Sequence, residues 1–179
     1  MKYLILIPSH NNAETISFTL QSVQAQTLKL QKIPRVCLAD DGSADDTISV
    51  AQASWKSTVP LEIIAGKHNL GQWQNVNRAF SIIQDDADWI LIVHADDIVK
   101  VNWLEKMLGR MGSCSEKVGS ICTSWDNLYP DGSIVVGEND VKDEVRVIKG
   151  STESVRDTVL RGCWWHLSGG AIRAETFKQ

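Results

Sequence analysis

The chain has 179 residues, enough for one domain with a substantial core, and its 43% hydrophobic and 22% charged content is ordinary for a soluble globular protein. A net charge of −4 with no long basic run argues against a dedicated nucleic-acid binder. None of the four cysteines forms a C-x-x-C pair, so zinc and redox motifs are unsupported, and all four are expected to be reduced small hydrophobes in a cytoplasmic protein.

The opening "MKYLILIP" is too short for a signal-peptide core or a membrane span, and reads as a first buried strand. In "NNAETISFTLQSVQAQ", Ile16, Leu20 and Val23 share a helical face, and Asn11 and Glu14 have the offset of a capping box. "RVCLAD" predicts a second strand. Ser43 and Asp46 repeat the capping offset before a helix with Ile48, Ala51, Gln52 and Trp55 on one face. "LEIIAG" predicts a third strand. "GQWQNVNRAFSIIQ" predicts a third helix with Val76, Ala79, Phe80 and Ile83 inward. "WILIVHA" predicts a fourth strand. Asn102 and Glu105 then cap a helix carrying Trp103, Met107, Leu108 and Met111.

Alternating strands and helices imply an α/β fold, with a mostly parallel sheet covered on both faces. Past residue 117 the pattern changes. "VGSICTSW" and "SIVVGE" flank the turn signal Pro130-Asp131-Gly132, which points to a small antiparallel addition. "VRVIKG" reads as a strand, "STESVRDTVLRG" as a short helix and "CWWHLSGGAIR" as a last strand. With no linker visible, residues 1–179 are expected to form one domain.

Ligands of such sheets bind beyond the carboxyl ends of the strands, where Asp40, Asp41, Asp96 and Asp97 fall. Adjacent carboxylates repel unless a cation or water separates them. A divalent metal at "HADD" could clamp a diphosphate, and the alternative is a solvated loop in which Asp97 caps the next helix. In "ADDGSADDT", Asp40 or Asp41 could accept hydrogen bonds from a nucleobase or ribose. Ser43, Asp45 and Asp46 read as turn and cap. His10 in "PSHNNAE" could stack on a base or sit in a plain surface loop. Gly71 opens a helix whose N-terminus could meet an anion, with Asn69, Gln72 and Asn75 as caps or surface. Of Trp164 and Trp165, one could face a pocket and stack on a sugar, and Gly169-Gly170 would admit a ligand or backbone closely. His166 as an acid or base is the weaker alternative.

Taken in order, "LILIPSHNNAETISFTLQSVQAQT", "ADDGSADDT", "HNLGQWQNVNRA" and "VHADDIV" resemble the nucleotide-sugar-binding domain of family-2 glycosyltransferases, which have the Rossmann-like GT-A fold. The resemblance covers residues 3 to about 110 well and 162–177 loosely. It implies a nucleotide-sugar-binding half over 1–110 and an incomplete acceptor-side half over 111–179. Pro8, Ser9, His10, Asp41, Asn69, Asn77, His94, Ala95, Asp97 and Trp165 would contact substrate, with Asp41 the hydrogen-bond partner of the base. Asp96 would ligate Mn²⁺ or Mg²⁺ on the diphosphate. The reaction implied is inverting transfer from a nucleoside-diphosphate sugar, UDP-linked by family bias, to a hydroxyl on a glycan, lipid-linked or protein-linked acceptor. Peripheral membrane association would come through regions outside this chain.

Two departures stand out. The family pattern reads D-A-D-D, whereas His94 opens the motif here. The family's general base lies in an acidic pair beyond the segment matched by "SGGAIRAETF", and the sequence stops at Gln179. A fragment, a base supplied from elsewhere, or a donor-binding module without transfer would each account for this. A sugar-phosphate nucleotidyltransferase would want a Gly-rich basic segment after the first strand, and a phosphoacceptor receiver domain an acidic pair there. "PSHNNAE" is neither.

Overall fold

The computed structural model describes residues 1–28, 35–83, 87–136 and 168–177. It divides into two compact units, Met1–Ile121 with Leu167–Gln179, and Cys122–His166.

The first unit is built on a six-stranded sheet in the order β3-β2-β1-β4-β8-β5. Its strands are β1 (Tyr3–Ser9), β2 (Val36–Asp40), β3 (Leu61–Ala65), β4 (Trp89–Ile92), β5 (Ser120–Ile121) and β8 (Gly170–Arg173). The first four pair in parallel. β8 runs antiparallel to both β4 and β5. β1, β2 and β4 are buried at every position, as expected of parallel strands covered on both faces.

Side chains alternate across the sheet. One face carries Tyr3, Ile5, Ile7, Val36, Leu38, Trp89 and Leu91 in a cluster with α1 (Ile16–Gln24), α2 (Thr47–Ser54) and α4 (Trp103–Ser113). The other carries Leu4, Leu6, Cys37, Ala39, Ile90 and Ile92, all buried. This is the side of α3 (Gln72–Ile83), whose Val76, Ala79, Phe80 and Ile83 are buried as predicted. Burial and the Glu62 carboxylate together push the Cys37 thiol up to about 12, so it stays a neutral core side chain.

The three expected capping offsets are not used as such. Thr15, Asp46 and Asn102 occupy the N-cap positions of α1, α2 and α4 and make no side-chain cap hydrogen bond. Asn11 instead adopts φ 53° and accepts from Ala44 N–H at 2.8 Å through Oδ1. Asp45 accepts from Thr47 N–H at 3.0 Å, and Gln26 Oε1 from Leu104 N–H at 2.9 Å. On α2 the inward residues are Thr47 and Ala51, with Val50 and Trp55 packed beside them, and Gln52 is exposed.

The second unit contributes a hairpin of β6 (Asp126–Leu128) and β7 (Ile134–Val136). β6 takes up "DNL", which was expected as part of the connection after "VGSICTSW", and β7 falls within the expected "SIVVGE". Gly132, at φ 82°, closes the reversal through its N–H to the Tyr129 carbonyl. The expected strand "VRVIKG", helix "STESVRDTVLRG" and residues Trp164, Trp165 and His166 lie outside the described residues. Among those described, no helix is long and apolar enough to cross a membrane.

Candidate functional site

The carboxyl ends of β1, β2 and β4 each open into a polar loop. After β4 the chain makes Val93 N–H to Leu6 carbonyl, then folds back through Asp97 N–H to His94 carbonyl at 3.1 Å. That β-turn keeps Asp96 and Asp97 beside His94. It is fixed from three sides. His94 N–H donates to Ser168 Oγ, Thr15 Oγ1 to the Ala95 carbonyl, and Val99 N–H to Ser22 Oγ. Ligand atoms of His94, Asp96 and Asp97 lie within 4.8 Å of one another, with Asp96 exposed and the other two half-buried. His94 Nδ1 stands 4.0 Å from Asp97 Oδ2, beyond hydrogen-bond length. One imidazole and two carboxylates at this spacing fit a divalent cation that keeps open positions for phosphate oxygens.

After β2, Asp40 and Asp41 are both nearly inaccessible, at 1% and 2%. Asp40 turns inward and accepts from Ser43 N–H and Oγ and, at 3.5 Å, from Ser9 Oγ. Asp41 accepts from Leu70 N–H at 3.0 Å and Gly71 N–H at 2.8 Å. The anion anticipated at the start of α3 is therefore the chain's own Asp41 carboxylate. Gly42, at φ 65°, lies so close to His68 that a Cβ would come within 2.6 Å of its carbonyl carbon.

Beneath this turn lie Arg78, which the sequence did not single out, and Asn75, which was expected as a cap or surface residue and is instead buried. Arg78 Nη2 donates to the carbonyls of Asp40 and Ile64 and to Asn75 Oδ1. Asn75, buried to 1%, donates to the Ala39 carbonyl. The carbonyls they reach lie on β2 and β3, which the spacing of α3 does not show.

After β1, His10 Nδ1 meets the Asp41 carbonyl at 2.9 Å, and its Nε2 meets the side-chain nitrogens of Asn11 at 3.1 Å and Asn69 at 2.9 Å. The metal-type turn and the Asp41 turn are joined by consecutive residues. Gly71 N–H is on Asp41, while the Gln72 side-chain nitrogen is 3.1 Å from His94 Nε2. Asp41, His10, Asn69 and His94 thus share one rim, as expected.

Other expected contacts fall differently. Pro8 and Ser9 are buried, and the Ser9 hydroxyl faces Asp40. Ala95 is buried and offers its carbonyl to Thr15. Asn77 is exposed on α3, about 200° around the helix from the inward Asn75. The close approach anticipated at Gly169-Gly170 is made by the protein itself: Gly169 N–H donates to the Ile92 carbonyl and Trp103 Nε1–H to the Gly169 carbonyl. Trp165 lies outside the described residues.

Comparison with known proteins matches residues 4–126 to the profile of glycosyl transferase family 2. An uncharacterized glycosyltransferase of Haemophilus influenzae is 27% identical over 104 residues, covering 58% of this chain and 31% of that protein. The succinoglycan biosynthesis protein ExoU of Rhizobium meliloti is 31% identical over 108 residues, covering 60% of this chain and 30% of that protein. The match to these curated relatives thus takes in about a third of their length. The crystal structure of glucosyl-3-phosphoglycerate synthase from Mycobacterium tuberculosis, in complex with Mn²⁺, UDP and phosphoglyceric acid, superposes with a TM-score of 0.64. At 18% identity, over 97% of this chain and 56% of that one, it shares the fold. Since the family profile spans most of the chain, including every turn at the rim, this protein belongs to glycosyl transferase family 2.

Proposed function

We propose that the chain binds a nucleoside-diphosphate sugar, UDP-linked by preference, and serves metal-dependent inverting transfer of the sugar to a hydroxyl acceptor in glycan or polysaccharide synthesis. The observation that carries this reading is the bridge Gly71–Gln72, which ties the Asp41 turn to the His94-Asp96-Asp97 turn on one rim. A base lodged against His10, beside the Asp41 turn, would then have its diphosphate directed toward the carboxylates.

Asp96, with Asp97 and His94 beside it, would hold Mn²⁺ or Mg²⁺. A divalent ion there supplies charge stabilisation for the departing diphosphate. The residues' own work is positional. The β-turn at His94–Asp97 fixes the ligand atoms before anything binds. Asp41, held by two backbone amides, keeps the β2 turn and the start of α3 in register. Asp97, in the same turn, would meet the sugar. The reading carries with it a cytoplasmic location and a glycan, lipid-linked or protein-linked acceptor. It assigns no general base among the described residues.

The test is thermal unfolding with UDP, Mn²⁺, or both. A ligand at 100 times its Kd stabilises the folded state by about 2.7 kcal/mol. For a chain of this size that is a rise of roughly 5–10 °C. Asp96→Ala should remove the metal-dependent share. No shift with any nucleoside diphosphate, with or without Mn²⁺, overturns the proposal.

A further inference from the structure

We propose that Asn11 and Asn69 are positioning residues that lock His10 as the neutral Nδ1–H tautomer, so that a nucleobase meets the face of the ring and neither of its nitrogens. The part concerning the nucleobase rests on the function proposed above. The part concerning the tautomer does not.

The assignment follows from which atoms can donate. A backbone carbonyl only accepts, so the 2.9 Å contact between His10 Nδ1 and the Asp41 carbonyl places a proton on Nδ1. The two asparagine amides are each oriented by a backbone N–H. Ala44 N–H lies 2.8 Å from Asn11 Oδ1, and Gly71 N–H lies 2.8 Å from Asn69 Oδ1. Those atoms must be oxygens, which fixes the remaining atoms as NH₂ groups. Both NH₂ groups point at His10 Nε2, from 3.1 and 2.9 Å. Only a lone pair accepts from two donors, so Nε2 carries no proton.

The ring thereby joins three loops. Asn11 is on its own loop after β1, the Asp41 carbonyl is after β2, and Asn69 precedes α3. Asn11 reaches its place in the left-handed region, at φ 53°, which asparagine tolerates better than most residues. The Asn11 N–H is also engaged, donating to Ser43 Oγ at 2.9 Å. With both nitrogens committed within the protein, what His10 has left for a ligand is its π-face.

The experiment is a long-range ¹H–¹⁵N correlation of the imidazoles on the whole chain, with His10 assigned by His10→Gln. The expected result is a pyrrole-type Nδ1 and a pyridine-type Nε2 in the unliganded protein. An Nε2–H tautomer, or a rapid mixture, overturns the proposal. Asn69→Asp keeps an oxygen for Gly71 N–H but sets an acceptor against Nε2. It should abolish the pyridine-type Nε2 signature, and an unchanged spectrum in that folded variant counts against the lock. Asn11→Ala and Asn69→Ala should each weaken UDP binding by roughly 3- to 10-fold through lost preorganisation. If the wild type binds UDP and both folded variants bind it equally, the positioning role is wrong. If the tautomer is as stated and the wild type binds no nucleotide, the lock stands and the functional proposal falls.

Discussion

Asp41→Asn separates two uses of one carboxylate. The substitution preserves shape but replaces one oxygen by an NH₂ group. The native carboxylate is 2% exposed and accepts from Leu70 and Gly71 N–H at 2.8–3.0 Å. A hydrogen bond to a charged group contributes about 1.5–3 kcal/mol net, and a buried amide left without a partner costs about 1–3 kcal/mol. An asparagine oxygen in the place of Oδ2 keeps both amides as a neutral acceptor, and the NH₂ in the place of Oδ1 then faces the Leu70 N–H donor from 3.0 Å. The expected loss is therefore about 2–4 kcal/mol, and at roughly 2–4 °C per kcal/mol the melting temperature falls by about 4–16 °C. Urea denaturation gives the free energy, and calorimetry the midpoint. Were the carboxylate reserved for a nucleobase, the variant would lose UDP binding while keeping its stability. An unchanged or raised midpoint would refute the view that Asp41 is the internal anion of α3.

Other perturbations probe the rest of the rim. Gly42→Ala should destabilise by about 1–2 kcal/mol from the left-handed backbone alone, and by more once the Cβ meets the His68 backbone 2.6 Å away. A urea midpoint equal to wild type would disprove that packing. His94→Asp, which trades imidazole for a third carboxylate, should raise Mg²⁺ affinity relative to Mn²⁺, as read by calorimetric titration in the presence of UDP. An unaltered ratio would mean that His94 does not touch the ion. Asp45 has its carboxyl lowered below the usual aspartate range, first by the Thr47 hydroxyl and then by the Ala13 and Thr47 N–H groups. Because the folded value is depressed, its contribution is complete above the ordinary aspartate pKa of about 4 and fades as pH falls below it. Protection factors at Ala13 and Thr47, the exchange rates corrected for intrinsic base catalysis, should fall there and stay flat from pH 5 to 8.

The frame was legible because parallel strands buried on both faces and amphipathic helices write themselves locally. Ile5 and Leu38, or Val76 and Phe80, need no distant partner to be recognised as core. The cap offsets at Asn11, Ser43 and Asn102 misled because a polar side chain near a helix start can serve any exposed N–H. Which one it serves depends on loops that meet only in the folded chain. Gln26 on Leu104 and Asn11 on Ala44 are such choices. The rim residues were visible as residue types at strand ends. Arg78 was not, since its carbonyl acceptors lie on β2 and β3 and nothing in the spacing of α3 announces them.

Gly71 and Gln72 are neighbours in the chain, yet each grips a different strand's loop. A displacement of α3's first turn toward one would drag on the other. Under the function proposed above, recognition of the base and handling of the phosphates would then be mechanically coupled, and even a nucleoside lacking phosphates should register at His94.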